Sequence, residues 1–377
     1  MTDRNTDTYD TSASRRISRA ITRRIYTRIL IVLLCLAALT AGCFFAVRQY
    51  RESTSWHLSN LPQLTDRQAY ARFSPQRTED QILTDNAAIY LQSCAELFMP
   101  GYSLSLSGSC EKTAYGEYTF PVMIRNEFRA VRERNRSWGS PASAVISNGT
   151  ITISDTAESD LMKDSGNEWW HLSDSEYRSF YSIPEPADEI TGLPDSAYVE
   201  MDVRLKDPVT AEQLLEIQAV YPDSRILYAV TYIDEETDGI SSILGFSLMR
   251  SQINALVSSE VLDEYPDLFM QAETAYDVFH TPYSYYESLQ DESVRKSCAE
   301  KYEKHFRSIL KLLTQSHVLS SRQNTLTEKY CAQIQSGPVS ILGFRASFTR
   351  EDALRILDEE FADSVHIEDI KMNRFDE

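Results

Sequence analysis

The chain has 377 residues, 42% hydrophobic and 25% charged, enough to bury one large core or two ordinary ones. Its formal net charge is −19, unevenly placed: residues 1–28 carry seven Arg against three Asp, or +4, which leaves −23 on residues 48–377. So acidic a body is a poor partner for nucleic acid, since phosphate backbones are bound through Lys and Arg.

In chain order, the first element is a basic tail, residues 1–28. Ile17, Ile21 and Ile25 recur at helical spacing, and Arg15, Arg16, Arg19, Arg23, Arg24 and Arg28 surround them. The spacing predicts a helix that contacts anionic lipid headgroups or docks on a cytoplasmic protein. With no Cys and no His, the tail has no thiolate or imidazole for a zinc site.

Residues 29–47 follow, Ile29 to Val47, without a charge. At the helical rise this run is about 28 Å long, close to the ~30 Å hydrocarbon thickness of a bilayer. Arg crowds its amino-terminal side, with only Arg48 and Arg51 close behind, so the positive-inside rule predicts a cytoplasmic tail and an extracytoplasmic body. A cleaved signal peptide would have a shorter apolar core and a small-residue site. Lipid attachment at Cys43 would need a better residue than Thr40 before Ala41-Gly42, and a polar sequence where Phe44-Phe45-Ala46-Val47 stands.

Residues 48–77 read as a polar tether, and residues 78–182 as a first extracytoplasmic α+β domain. Its helix should run from about Thr78 to Phe98. Tyr118–Ile124 reads as a strand. Ala144–Ser147 and Thr150–Ile153 flank Asn148-Gly149, a strong hairpin signal. Asn148-Gly149-Thr150 and Asn135-Arg136-Ser137 match glycosylation acceptors, although the first is accounted for by its turn. Trp169-Trp170-His171 opens an aromatic stretch suited to core or interface. The Pro- and Gly-bearing stretch 183–196 reads as a linker.

Residues 197–377 carry the clearest patterning. Val199, Met201, Val203 and Leu205 alternate with Glu200, Asp202 and Arg204, the pattern of a half-buried strand. Thr210-Ala211-Glu212-Gln213 matches a capping box, and Ile226–Ile233 is suited to a central strand. The chain then repeats itself: Ser242-Ile243-Leu244-Gly245-Phe246 recurs as Ser340-Ile341-Leu342-Gly343-Phe344. Thr210-x-Glu212 recurs as Thr349-x-Glu351, and Tyr221–Ser224 is echoed by Phe361–Ser364. Two strand–helix–strand copies predict an α/β (α+β) region with a duplicated βαβ, a ferredoxin-like open sandwich. Gly245 and Gly343 would mark bulges or close backbone approach. Between the copies lies a helical insertion. Its last helix, about Ser297–Thr314, puts Cys298, Tyr302, Phe306, Ile309 and Leu313 on one face.

Cys35 and Cys43 fall in the apolar run, leaving Cys94, Cys110, Cys298 and Cys331 in the body. An even number in an oxidising location allows three pairings. Cys94–Cys110 with Cys298–Cys331 keeps each pair within one domain, while Cys298 also reads as an ordinary buried thiol.

The layout resembles the bacterial sigma-factor regulator proteins, which join a short basic segment and a membrane span to a carboxy-terminal extracytoplasmic module. The likeness is carried by the Arg-rich lead into Ile29–Val47, by Val199–Ile233, by Gly245-Phe246, and by the strand, short helix and strand from Val339 to Met372. It covers about two thirds of the chain and rests on apolar and glycine patterning. The resemblance implies a regulator of an extracytoplasmic-function sigma factor, acting by protein–protein contacts. The tail would touch the sigma factor and the body would report on the envelope. At 28 residues the tail can dock as a helix but is too short to wrap a sigma factor. A membrane-anchored ectodomain that binds a cell-wall or envelope ligand is the competing expectation.

No catalytic or cofactor constellation emerges. The six His are scattered at positions 57, 171, 280, 305, 317 and 366, without metal-ligand spacing. Ser293-x-x-Lys296 lacks the companion motifs of its class. Asp234-x-Glu236-x-Asp238-Gly239 opens like a calcium loop, but its twelfth position is Gly245. Tyr283, Tyr285 and Tyr286 fit a ligand platform or a helix edge equally. The expectation is a non-enzyme without cofactor or metal.

Overall fold

The computed structural model describes residues 11–99, 101–126, 140–154, 185–231, 244–249, 255–270, 288–335 and 337–372. Several expectations lie outside them: the Asn135 acceptor, the aromatic stretch from Trp169, the Asp234–Gly239 loop, the Tyr283–Tyr286 cluster, and the Ser242-Ile243 opening of the first repeat. The chain divides into two compact units, Met1–Ser55 and Trp56–Glu377.

The first unit is one helix, α1 (Thr11–Thr54), 44 residues without a break and about 66 Å long at the helical rise. It is the one described helix long and apolar enough to cross a membrane. Its large apolar side chains, including Leu30, Leu34, Leu39, Phe44 and Phe45, are exposed. Thr40, the hydroxyl within the apolar run, donates to Ala37 O at 2.9 Å.

The second unit mixes helices with two antiparallel sheets around one hydrophobic core. After a 3₁₀ turn (Leu58–Asn60), Asp66 caps α2 (Arg67–Phe73), and Thr78 with Gln81 closes a capping box on α3 (Glu79–Phe98). The polar tether expected over 48–77 is replaced by helix up to Thr54 and then by a segment packed on the body. Leu58, Leu61, Leu64 and Tyr70 are buried. Asn86 Oδ1 accepts from Leu64 N at 2.7 Å, its Nδ2 donates to Pro62 O at 3.1 Å, and Tyr90 Oη donates to Pro62 O at 2.9 Å. Polar composition misled here because three leucines suffice to dock a short segment.

The first sheet contains β1 (Tyr102–Leu106), β2 (Glu111–Ala114), β3 (Glu117–Asn126), β4 (Ser140–Ser147) and β5 (Thr150–Ser154). Its order is β1-β3-β4-β5, with β2 also pairing β3. Asn148 (φ 49°) and Gly149 (φ 90°) form the expected hairpin turn, which needs positive φ at both residues. Trp56 closes over that turn, its Nε1 3.1 Å from where a Cβ on Gly149 would stand.

The expected linker is also structured: α4 (Pro186–Thr191) opens with its proline and buries Ile190. Arg350 reaches back to Asp195 and to Thr191 O, at 3.0 and 2.9 Å. Residues 183–196 therefore do not separate two compact units, because both sheets share one core.

The second sheet contains β6 (Ala197–Val209), β7 (Arg225–Thr231), β8 (Leu244–Ser247), β9 (Ile341–Thr349) and β10 (Ala362–Met372). Its order is β10-β6-β9-β7-β8, with every neighbouring pair antiparallel. Helix α5 (Ala211–Val220) joins β6 to β7. Helices α6 (Ser259–Glu264), α7 (Glu292–Ser316) and α8 (Ser321–Ile334) lie in the insertion, and α9 (Arg350–Leu357) joins β9 to β10. Thus β6 and β7 run parallel with β9 between them, and β9 and β10 run parallel with β6 between them.

The two helices start alike. Thr210 accepts from Gln213 N, and Thr349 accepts from Asp352 N. The turn that follows α5 is bonded to the start of α9, since Ser224 Oγ donates to Asp352 Oδ2 at 2.7 Å and accepts from Thr349 N at 3.2 Å. The word-for-word repeat is out of phase with this helix repeat. Gly343-Phe344 lies in β9, but Gly245-Phe246 lies in β8, the edge strand. Both copies flank β7 in the same register, with Val230 opposite each glycine and Ala229 opposite each phenylalanine. At Gly245 a Cβ would overlap the Ala229 carbonyl and stand 2.8 Å from Tyr228 Cζ, so the close approach expected of this glycine is real.

Candidate functional site

Two regions answer the sequence expectations. The first is α1, which contains Arg15, Arg16, Ile17, Arg19, Ile21, Arg23, Arg24 and Arg28 in the same helix as the apolar run. Among them Arg19, Arg23, Arg24, Ile25 and Arg28 are exposed. A cationic, solvent-facing helix leading directly into an apolar one can meet anionic headgroups or a partner helix.

The second region lies inside the body and departs from expectation. Strand β6 is not half-buried: Glu200 and Asp202 are as inaccessible as Val199, Met201 and Val203. The register lines up one residue from each strand on the same face, namely His366, Asp202, Arg345, Tyr228 and Ser247. Arg345 grips Asp202 with a bidentate pair, Nε to Oδ1 and Nη2 to Oδ2, both at 2.5 Å. Its Nη2 also reaches Glu368 Oε1 at 2.7 Å. Glu368 falls at the register shift between Ile367 and Asp369, and such a bulge re-aims a side chain towards its neighbours. His366 Nε2 stands 3.9 Å from the same Glu368 oxygen.

At the other end of this row Tyr228 Oη donates to Glu96 O at 2.8 Å, and Ser247 N donates to Glu96 Oε1 at 2.9 Å. His305 Nε2, from α7, lies 2.7 Å from that carboxylate oxygen, and its Nδ1 lies 2.8 Å from Asp267 O. Both ring nitrogens face oxygens, which the imidazolium satisfies by donating twice.

Burial dominates the electrostatics. It pushes Asp202 up to about 7, against the pull of Arg345 and with the help of Glu368. For Glu368 burial acts the same way and is the largest single influence, but Arg345, the Asp202 hydrogen bond and His366 together outweigh it, and the carboxyl lies below its ordinary value. Two carboxylates face one guanidinium, so the group holds a proton on Asp202 far more readily than a solvated acid would. Burial lowers His305, yet Glu96 and the Asp267 carbonyl outweigh it and leave the imidazole raised. Chemically the row can take up and release protons near neutrality.

Glu96, Asp202, His305, Arg345 and Glu368 escaped the sequence reading. One signal was available: Arg345 is a charge set between Phe344 and Ala346 in an apolar strand, on the face where β6 places Asp202, and opposite charges inside two strand patterns suggest a buried pair.

The remaining candidates are dispersed. Among the described residues, which include all six cysteines, no disulfide forms. Cys331 Sγ is 3.7 Å from Thr314 Oγ1, and Thr314 stands about 24 Å along α7 from Cys298, beyond any bridge. Cys94 is buried in the core on α3, apart from the half-buried Cys110 before β2. Burial raises the Cys94 and Cys331 thiols and pushes Cys110 up to about 11. Ser293 is tied to Asp291, the cap of α7, with Ser293 N and Oγ at 2.8 and 2.6 Å from its Oδ1. Among the described residues no group of His, Cys, Asp and Glu is placed to hold a metal ion. Comparisons with protein families, curated proteins and solved structures found no match to this chain.

Proposed function

We propose that this chain is a single-pass membrane regulator whose body lies outside the cell and whose basic tail engages a sigma factor of the extracytoplasmic-function type. One observation carries the reading: the cationic tail and the apolar run form one unbroken helix, α1. A change in the tilt or association of such a helix reaches both of its ends. The sidedness rests on the Arg excess before Ile29. A ferredoxin-like arrangement of the second sheet is supported by its order, since β10-β6-β9-β7 places the strands of the two helix-bearing copies as fourth, first, third and second. In this reading the protein acts by contact and is not an enzyme.

The test is co-purification of the full chain from membranes. A sigma factor should be recovered with it and lost on Ile17→Asp together with Ile21→Asp. If the intact chain alters transcription while no sigma factor is recovered, tail docking is wrong. Replacing residues 1–47 by an unrelated anchor should abolish regulation; a body that only binds an envelope ligand would tolerate it.

A further inference from the structure

Helix α3 turns a polar stripe outward. Gln81, Thr84, Asp85, Ala88 and Gln92 follow at helical spacing, and opposite them stands the end of β1 with Ser105, Gly108 and Ser109. Between the two walls is a cleft of about 410 Å³, within the range of small-molecule sites.

The lining selects by what it offers. Among the described residues its one cation, Arg77, lies 3.7 Å from its one anion, Asp85, which also accepts from Tyr70 Oη at 2.9 Å. The charges therefore offset each other, which disfavours a phosphate or another strongly charged ligand. Among the described residues no aromatic ring lines the cleft, so a flat aromatic ligand gains no stacking from them.

What remains is hydrogen-bonding capacity of both signs. Gln81 engages its Oε1 in the α3 cap and offers its amide N–H donors. Thr84 donates to Asp80 O and retains acceptor capacity. Ser105 and Ser109 add hydroxyls that both donate and accept. Gln92 donates through Nε2 to Leu104 O at 3.0 Å, while its buried Oε1 has no hydrogen-bond partner among the described residues. Ala88, Leu106 and Ala255 supply apolar contact beside these groups.

We infer that this cleft binds a neutral saccharide. Each sugar hydroxyl donates and accepts, as the two walls require, and a C–H face can rest on Ala88 and Leu106. The inference stands apart from the sigma partner, since the cleft is built wholly within the body. It deepens the envelope-ligand reading by giving that ligand a chemistry.

The experiment uses the full chain in lipid nanodiscs, which avoids sugar-headed detergents. It measures binding of N,N′-diacetylchitobiose and cellobiose by titration calorimetry and saturation-transfer NMR. Saturable binding of at least one disaccharide below about 10 mM is expected. Gln92→Met and Ser105→Trp, the latter at an exposed rim position, should each weaken it tenfold or more while leaving the melting temperature within a few degrees. Absence of saturable binding overturns the inference. So does unchanged affinity in Ser105→Trp, or binding of triglycine in place of either sugar. Replacing residues 1–47 by another anchor should leave sugar binding intact, so a failed sigma co-purification and a failed sugar titration stay distinguishable.

Discussion

In the β1–β5 sheet, Phe120, Val122, Ile124, Ala144, Ile146, Ile151 and Ile153 are buried, and the residues between them are partly or fully open to solvent. Strands β3, β4 and β5 pair in the order in which the chain presents them. In the β6–β10 sheet, both faces of β6, β7 and β9 are covered, and the strand order departs from the chain order. The same alternation of apolar and polar residues thus has two outcomes. With one face in water it marks a solvated surface. Where α3 and α7 bring Glu96 and His305 to the Tyr228–Ser247 end of the row, it marks a network whose charges must meet each other.

The comparison is broken most forcefully at Arg345. Arg345→Met leaves Asp202 and Glu368 facing each other without their cation, and should cost about 3–5 kcal/mol in urea denaturation. Pairing it with Asp202→Leu should recover most of that loss. If Arg345→Met is neutral, the network is not what holds this face of the sheet.

A smaller effect is expected at Gly245, where β8 approaches β7 with no room for a Cβ. Gly245→Ala should destabilise by about 1–3 kcal/mol, because backbone and the Tyr228 ring must both shift. A thermal melt that does not move would show that β8 adapts.

The pH dependence sharpens the comparison, since Asp202 lies in the second sheet and His305 packs against its edge. Asp202 is raised, to about 7, so the folded state holds a proton that the unfolded chain has released. Its contribution is fully present below the ordinary carboxylate value of 3.8 and is lost as pH rises through about 7. His305 acts in the same direction, with its contribution lost above its ordinary value of 6.5. Stability should therefore fall with rising pH, by on the order of 1 kcal/mol per unit from Asp202 between about pH 5 and 7. Asp202→Asn should flatten that slope. A wild-type slope of opposite sign over this window would overturn the assignment.

The smallest effect belongs to the first sheet. Gly149→Ala, at positive φ and against Trp56, should cost about 1 kcal/mol and leave the pH dependence unchanged.

Local signals were read well from residues near one another in the chain. The Thr78 cap opens α3, Asn148-Gly149 turns the β4–β5 hairpin, and Cys298, Tyr302, Phe306, Ile309 and Leu313 all lie on the buried or partly buried face of α7. Each depends on backbone geometry within a few residues, or on one helical period. The readings that failed concerned distant partners. The 48–77 tether packs down because Asn86 and Tyr90 hold it, the 183–196 linker carries Ile190 into the core, and neither expected cysteine pair forms a bridge.

By itself, then, the sequence determined a long apolar helix with a cationic approach and, in the body, helices α3, α5, α7 and α9 and the β4–β5 hairpin, since periodicity, caps and turns are properties of short stretches. Tertiary structure alone decided that Gly245-Phe246 and Gly343-Phe344 flank one strand, that Asp202 meets Arg345, and that a polar cleft opens beside α3. These depend on strand order and on what covers each face, and burial is a property of the neighbours that folding brings together.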